Sequence, residues 1–170
     1  MNNIFAFKGT LPKIDKTSFI APTASIIGRV TIGKNSSVWF NSVLRGDVAE
    51  ITVGDYTNIQ DGTVVHVTNG EFPTRIGSYV TIGHKALLHA CTIEDYSFVG
   101  MGSIIMDGAI VESGGWVGAG SLVTEGKVVK KDELWLGSPA KFFRKLTEKE
   151  KGYIKISAVN YHKYANDYLI

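Results

Sequence analysis

Residues 76–123 read IGSYVTIGHKALLHACTIEDYSFVGMGSIIMDGAIVESGGWVGAGSLV, and an aliphatic residue returns at about every sixth place. Ile76, Ile82, Leu88, Ile93, Val99, Ile105, Val111 and Val117 mark the beat. Four places after each stands a small residue or valine: Val80, Ala86, Thr92, Ser97, Ser103, Ala109, Gly115 and Ser121. Upstream the pattern continues through Ile14, Ile20, Ile26, Ile32, Val38 and Leu44, then Val53, Ile59 and Val65. Glycine often follows the aliphatic position, as at Gly33, Gly54, Gly77, Gly83, Gly100 and Gly118. A six-residue period is neither the 3.6 of a helix nor the alternation of a long strand. It describes short strands joined by tight bends, three to a coil, with the aliphatic residue inward and the small one near a corner. Such coils stack at the sheet spacing of about 4.8 Å, so the fold class is an all-β parallel β-helix.

The tail breaks this rhythm. Thr147 and Glu150 have the spacing of a capping box, and Ile154, Ala158, Tyr161 and Ala165 form one helical stripe. The expected organisation is a single structural domain, with residues 1–146 as the β-helix and its exit segment. Residues 147–170 add a C-terminal α-helix, from about Thr147 to Tyr168, that packs along the prism and also covers an open strand edge. The chain has 170 residues, 44% apolar and 20% charged, with 18 Lys+Arg against 16 Asp+Glu. A net charge of +2 gives no bulk attraction for nucleic acid or a membrane surface, so neither partner is expected. Cys91 is the one cysteine; it excludes an internal disulfide framework, fits a reducing compartment and suits a small buried apolar role. Met1 to Thr10 lacks a basic start followed by an apolar run, and no stretch approaches the roughly 18 apolar residues of a membrane span. A cytoplasmic protein is the expectation.

The period fails three times. Nine residues separate Leu44 from Val53, eleven separate Val65 from Ile76, and five separate Leu88 from Ile93. Each break is expected to be a local loop or tightening that skips no face, and the longest, Asn69 to Arg75, contains Gly70 and Pro73. With the three faces labelled A, B and C, Val53, Ile59 and Val65 fall on A, B and C in turn, as do Ile76, Ile82 and Leu88. Leu44 falls on C. The residues after the face-C aliphatics then point outward in one column: Arg45, His66 and His89. His84 lies two places past Ile82 on face B, above Asp61 at the same offset from Ile59. A face spans roughly 15–20 Å of extended chain, so His84 does not reach a metal shared by His66 and His89 of its own chain. It meets the column only where face B of one chain packs on face C of another, a contact that closes naturally into a homotrimer. Three neutral imidazoles with one open position suit catalytic Zn2+, and Co2+ or Fe2+ fit the same donors. His162, in the tail, is expected to face solvent.

The chain from about Ile14 to Val123 resembles the hexapeptide-repeat superfamily, whose coils wind left-handed against the usual crossover preference. Gly137-Ser138-Pro139-Ala140-Lys141 resembles its exit segment. More narrowly, Arg45-Gly46-Asp47, Asn58-Ile59-Gln60-Asp61, His66, and His84 with His89 five places on resemble the γ-class carbonic anhydrases. That resemblance implies metal ligation by His66, His84 and His89, two from one chain and one from its neighbour, and hydration of carbon dioxide to bicarbonate by water activated on the metal. It further implies that Gln60 orients the attacking group and that Asn58 holds bicarbonate. Arg45 and Asp61 would pair across the trimer interface with Asp47 as a second carboxylate partner, and Tyr161 would reach the site from the helix. The sequence departs from the family pattern in its acidic loops: Val48 follows Asp47, and Glu71 is the only carboxylate after His66 in Val67-Thr68-Asn69-Gly70-Glu71. Fast hydration needs proton removal, so turnover is expected to be slow or absent. Two other functions fit the repeat. One is an acyltransferase that uses an acyl-CoA and a single histidine base. The other is a non-enzymatic metal- or siderophore-binding or scaffold trimer.

Overall fold

The computed structural model describes residues 3–70 and 72–168; Glu71, the loop carboxylate singled out above, lies outside them. The chain winds about seven turns of a left-handed parallel β-helix and ends in one α-helix. The register repeats the predicted faces. Leu44, Val65, Leu88, Ile105 and Val123 are successive partners on face C. Val53, Ile76, Ile93, Val111 and Val129 are partners on face A, and Val38, Ile59, Ile82, Val99 and Val117 on face B. All of these point inward and are buried, so the core is three stacked columns of branched side chains.

The small residue four places on sits at a corner and ties one coil to the next. The hydroxyls of Ser36, Ser42, Thr57 and Ser103 donate to the carbonyls of Gly54 (2.6 Å), Gln60 (2.8 Å), Gly77 (2.7 Å) and Gly118 (2.9 Å). A larger residue would not fit, and an apolar one would leave a buried carbonyl with one acceptor site less satisfied. Gly100 answers a different demand. A β-carbon there would lie 2.8 Å from the Ala119 Cα and the Gly118 carbonyl carbon, because adjacent coils touch backbone to backbone at this point.

All three breaks fall at the corner between faces C and A, but the first is no loop. Val43–Val53 is one continuous 11-residue strand that turns the corner against Ser25–Ile32. Pairing jumps from Gly28↔Gly46 to Val30↔Ile51, so the surplus residues bulge outward. The second break is a hairpin-like loop closed by an antiparallel bridge between Thr68 and Phe72. The third tightens at Ala90, whose φ is +49°.

The C-terminal helix, α1 (Glu148–Asp167), begins with Thr147 as N-cap and a complete capping box to Glu150. It buries Ile154, Ser157, Ala158 and Ala165 and lies along face B, on the strands Ser37–Val38, Asn58–Ile59 and Thr81–Ile82. It therefore lies along one face of the prism, and the additional covering of an open edge is not seen among the described residues. The C-terminal edge of face B is closed by the antiparallel pair Glu133–Gly137 and Ala140–Lys145, with the exit segment as its turn. At the other end Asn3–Phe5 and Lys13–Ile14 add to the strand Ser25–Ile32. Among the described residues no helix is long and apolar enough to cross a membrane.

The start of α1 also carries a pH dependence. Hydrogen bonds from the Arg144 guanidinium, then from the Thr147 N–H and hydroxyl, hold the Glu150 carboxyl at about 2, below its ordinary 4.5. A folded-state pKa below the unfolded one stabilises fully above about 4.5, and the gain is lost as pH falls toward 2. Glu150→Gln is expected to lower the unfolding temperature at pH 7 and to unfold like the parent near pH 2. Equal temperatures at pH 7 would refute that role.

Candidate metal centre

On face C, His66 and His89 are register partners one coil apart. The Nδ1 of His66 and the Nε2 of His89 face each other at 3.2 Å. The second nitrogen of each ring meets a carboxylate: Nε2 of His66 lies 3.0 Å from Asp47, and Nδ1 of His89 lies 2.5 Å from Asp107. Asp47 is turned toward His66 by the bulge in the strand Val43–Val53, and it also accepts from the Arg45 guanidinium and the Val48 N–H. Asp107 accepts from the Thr68 hydroxyl. Desolvation works against ionising either acid. For Asp47 the hydrogen bonds from His66, Arg45 and Val48 outweigh it and bring the carboxyl to about 2. For Asp107 those from Thr68 and His89 do the same and hold it below its ordinary value.

With each imidazole neutral and its one N–H given to its carboxylate, the facing nitrogens both present lone pairs. Lone pairs 3.2 Å apart repel unless a cation stands between them. Bonds of 2.0–2.1 Å to a tetrahedral zinc separate two nitrogens by about 3.3 Å, so the pair fits such an ion. Two imidazoles alone are an incomplete set. Among the described residues no group of three or more His, Cys, Asp or Glu side chains gathers in a metal-holding cluster.

His84 stands apart, as the face count requires. It follows the strand Thr81–Ile82 on face B, and its Nδ1 lies 2.8 Å from Asp61. Both side chains are more than 40% exposed, so the pair opens to the surface. Behind it runs a buried polar chain. The His84 N–H donates to Gln60 (3.2 Å), whose amide donates to Asn58 (3.0 Å). The Asn58 amide donates to Thr81 (2.9 Å), and the Thr81 hydroxyl meets Ser157 of α1 (3.0 Å). Tyr161, from the same helix, packs edge-on to Trp39 with ring centroids 5.4 Å apart. Together with Trp39, Phe40, Asp61, His84 and Tyr164 it lines a cavity of about 420 Å³. Burial, and then the charge of Asp61, raise the Tyr161 hydroxyl above its ordinary pKa.

Asn58 has no amide left to offer bicarbonate, because it lies under α1 with its donors committed to Thr81 and Val80. Within one chain Arg45 pairs with Asp47, and Asp61 pairs with His84. His162 does not face solvent freely; it is half-buried and packs edge-on to Tyr56 with centroids 5.2 Å apart. Cys91 is buried, and burial pushes its thiol up to about 12, the behaviour of a small apolar residue. Asp107 and Thr68 were not foreseen. Counting one coil past His89 along face C reaches Ile105, and Asp107 stands two places on, the offset of His84 and Asp61 on face B. A second unforeseen feature is an outward apolar row beside the histidine column: Val64, Leu87 and Ile104 are successive partners and each is 37–39% exposed.

No protein-family model matches the chain. Among curated proteins it is 54% identical over 150 residues to a Methanocaldococcus jannaschii protein named "Probable carbonic anhydrase", covering 88% of this chain and 94% of that one. It is 53% identical over 155 residues to the Arabidopsis thaliana "Gamma carbonic anhydrase 2, mitochondrial", covering 88% of this chain but 56% of that one. The chain thus spans little more than half the length of that relative. Among solved structures, a hexapeptide transferase family protein from Anaplasma phagocytophilum superposes with a TM-score of 0.94 at 53% identity, covering 97% of each chain.

Proposed function

Because the chain belongs to the gamma carbonic anhydrase family, we propose that it is a metal-dependent enzyme that hydrates carbon dioxide to bicarbonate at sites shared between subunits of a homotrimer. The observation that carries this reading is the half-site itself. Two imidazoles face each other at 3.2 Å with a carboxylate behind each, while the third histidine lies on another face. The exposed row Val64, Leu87 and Ile104 beside that half-site is the apolar surface a neighbouring face B would cover. Face B on face C is a heterologous contact, and a threefold axis closes it.

His66 and His89 of one chain would then bind the ion together with His84 of a second. A divalent ion there, zinc first and Co2+ or Fe2+ with the same donors, would bring the pKa of water toward about 7. Asp47 and Asp107 keep the lone pairs of their histidines aimed at one point. Gln60 holds the backbone of His84, and its amide nitrogen has a second hydrogen to donate toward the reacting oxygen. Asn58, locked under α1, fixes Gln60. The exposed guanidinium edge of Arg45 is free to meet Asp61 of the neighbour. Tyr161 walls the site and excludes water on the helix side. The buried Cys91 fits a reducing compartment such as the cytoplasm.

Protein purified without chelators is expected to carry about one metal ion per chain and to hydrate carbon dioxide slowly in stopped-flow pH-indicator assays. Metal well below one ion per three chains would overturn the reading. Full metal without hydration would favour a binding trimer. Acyl transfer is the second reading, supported by the likeness to the Anaplasma hexapeptide transferase family protein; it predicts acyl-CoA consumption that persists after metal removal. Asp107→Asn is expected to weaken metal affinity about 10–100-fold, since the outer partner of a ligand histidine sets its tautomer and aim. Competition with a chromogenic chelator measures this, and an unchanged affinity would remove Asp107 from the site.

A further inference from the structure

The corner between faces A and B carries a ladder of its own. Tyr56, Tyr79 and Tyr96 take left-handed backbone angles, with φ of +53°, +57° and +55°. Their rings stack in two steps of 5.0 Å, tilted by only 5° and 7°. The backbone repeats with them: the N–H groups of Tyr79, Tyr96 and Gly114 donate in turn to the carbonyls of Asp55, Ser78 and Asp95. Gly114, at φ +77°, therefore occupies the next rung, where the ladder has no ring. The outer face of Tyr96 is left open, and this residue is 40% exposed.

A cavity of about 390 Å³ adjoins that face, lined by Tyr96, Gly114, Asp132, Lys131, Lys151 and Lys155. This is within the size range of small-molecule sites. Lys151 is spent on Asp132 and Glu148. Among the described residues Lys131 and Lys155 have no carboxylate partner in an ion pair, and the Lys155 ammonium lies 6.0 Å from the Tyr79 ring centre. The cavity thus combines an unstacked aromatic face, two uncompensated ammonium groups and one carboxylate at its far wall. It lies across face B from the corner that holds His84.

We propose that this cavity binds a nucleoside phosphate, with the base stacked on Tyr96 at the rung Gly114 leaves empty and the phosphates met by Lys131 and Lys155. Stacking on an aromatic side chain accepts any base. Lysine ammonium groups serve phosphate as point charges. Asp132, 3.2 Å from the position of a Gly114 β-carbon, stands where it can accept from an exocyclic amino group.

The test is calorimetric titration of the full chain with ATP, adenosine and tripolyphosphate. ATP is expected to bind saturably below millimolar concentration, and each of the other two at least about tenfold more weakly. Gly114→Tyr fills the rung with the chain's own ring, in the left-handed region that the three tyrosines already occupy at somewhat smaller φ. It is expected to weaken ATP at least about tenfold and to lower the unfolding temperature no further than one residue's left-handed backbone penalty requires. Lys131→Ala with Lys155→Ala is expected to weaken ATP and leave adenosine unchanged. No saturable ATP binding in the millimolar range would overturn the proposal. So would tripolyphosphate binding as tightly as ATP, or Gly114→Tyr protein binding ATP like the parent.

Discussion

Protein carrying His84→Ala is expected to purify with almost no metal and to hydrate carbon dioxide more than about 100-fold more slowly, since loss of even an outer-shell partner costs 10–100-fold. Its unfolding temperature should match that of the parent stripped of metal. His84 and Asp61 are both more than 40% exposed, and an exposed pair of that kind contributes little to stability. His66→Ala should lose metal in the same way. The decisive arm is the mixture. A site needs His66 and His89 from one chain and His84 from the next, so co-expressing the two variants equally should restore about a quarter of the parent's metal. A site within one chain would regain nothing. Full metal in His84→Ala protein, or none in the mixed trimers, would end the inter-subunit reading.

Gly100→Ala is expected to cost about 3 kcal/mol by overpacking and to lower the unfolding temperature by about 6–12 °C in a chain of this length. The added methyl would meet the Ala119 Cα and the Gly118 carbonyl carbon at 2.8 Å. Backbone atoms of a neighbouring coil cannot rotate aside as a side chain can. Gly102→Ala is the control. Gly102 sits at φ +68° with nothing within 4 Å of a β-carbon, so its substitution meets only the left-handed backbone penalty, about 1 kcal/mol. Thermal melts of the two variants separate coil contact from backbone strain. Equal losses would show that the coil spacing yields at Gly100.

The six-residue beat made the three faces countable, and the count predicted which histidines share a column because each inward aliphatic residue fixes the residue after it. It also predicted the separation of His84, since two residues past Ile82 is a corner position on a different face. What the beat could not carry was the path of the chain at the C–A corner. Spacing alone does not distinguish a loop from a bulged strand, and the bulge is what brings Asp47 back onto His66. Asp107 was hidden for a simpler reason: its partner is one coil away in space but 18 residues away in sequence. The burial of Asn58 depends on where α1 lies, and an amphipathic stripe does not say which face it will cover.

All three irregular corners rejoin the same register. Val53, Ile76 and Ile93 align on face A although the preceding turn is a bulge, a hairpin-like loop or a tight bend. Segments of very different length can therefore be spliced into this one edge while the rest of the prism stays in phase. For a protein engineer, that edge is a graft point. New proton-carrying or gating segments could be inserted next to the histidine column, with loop closure costing only about 0.6 kcal/mol for each doubling of length.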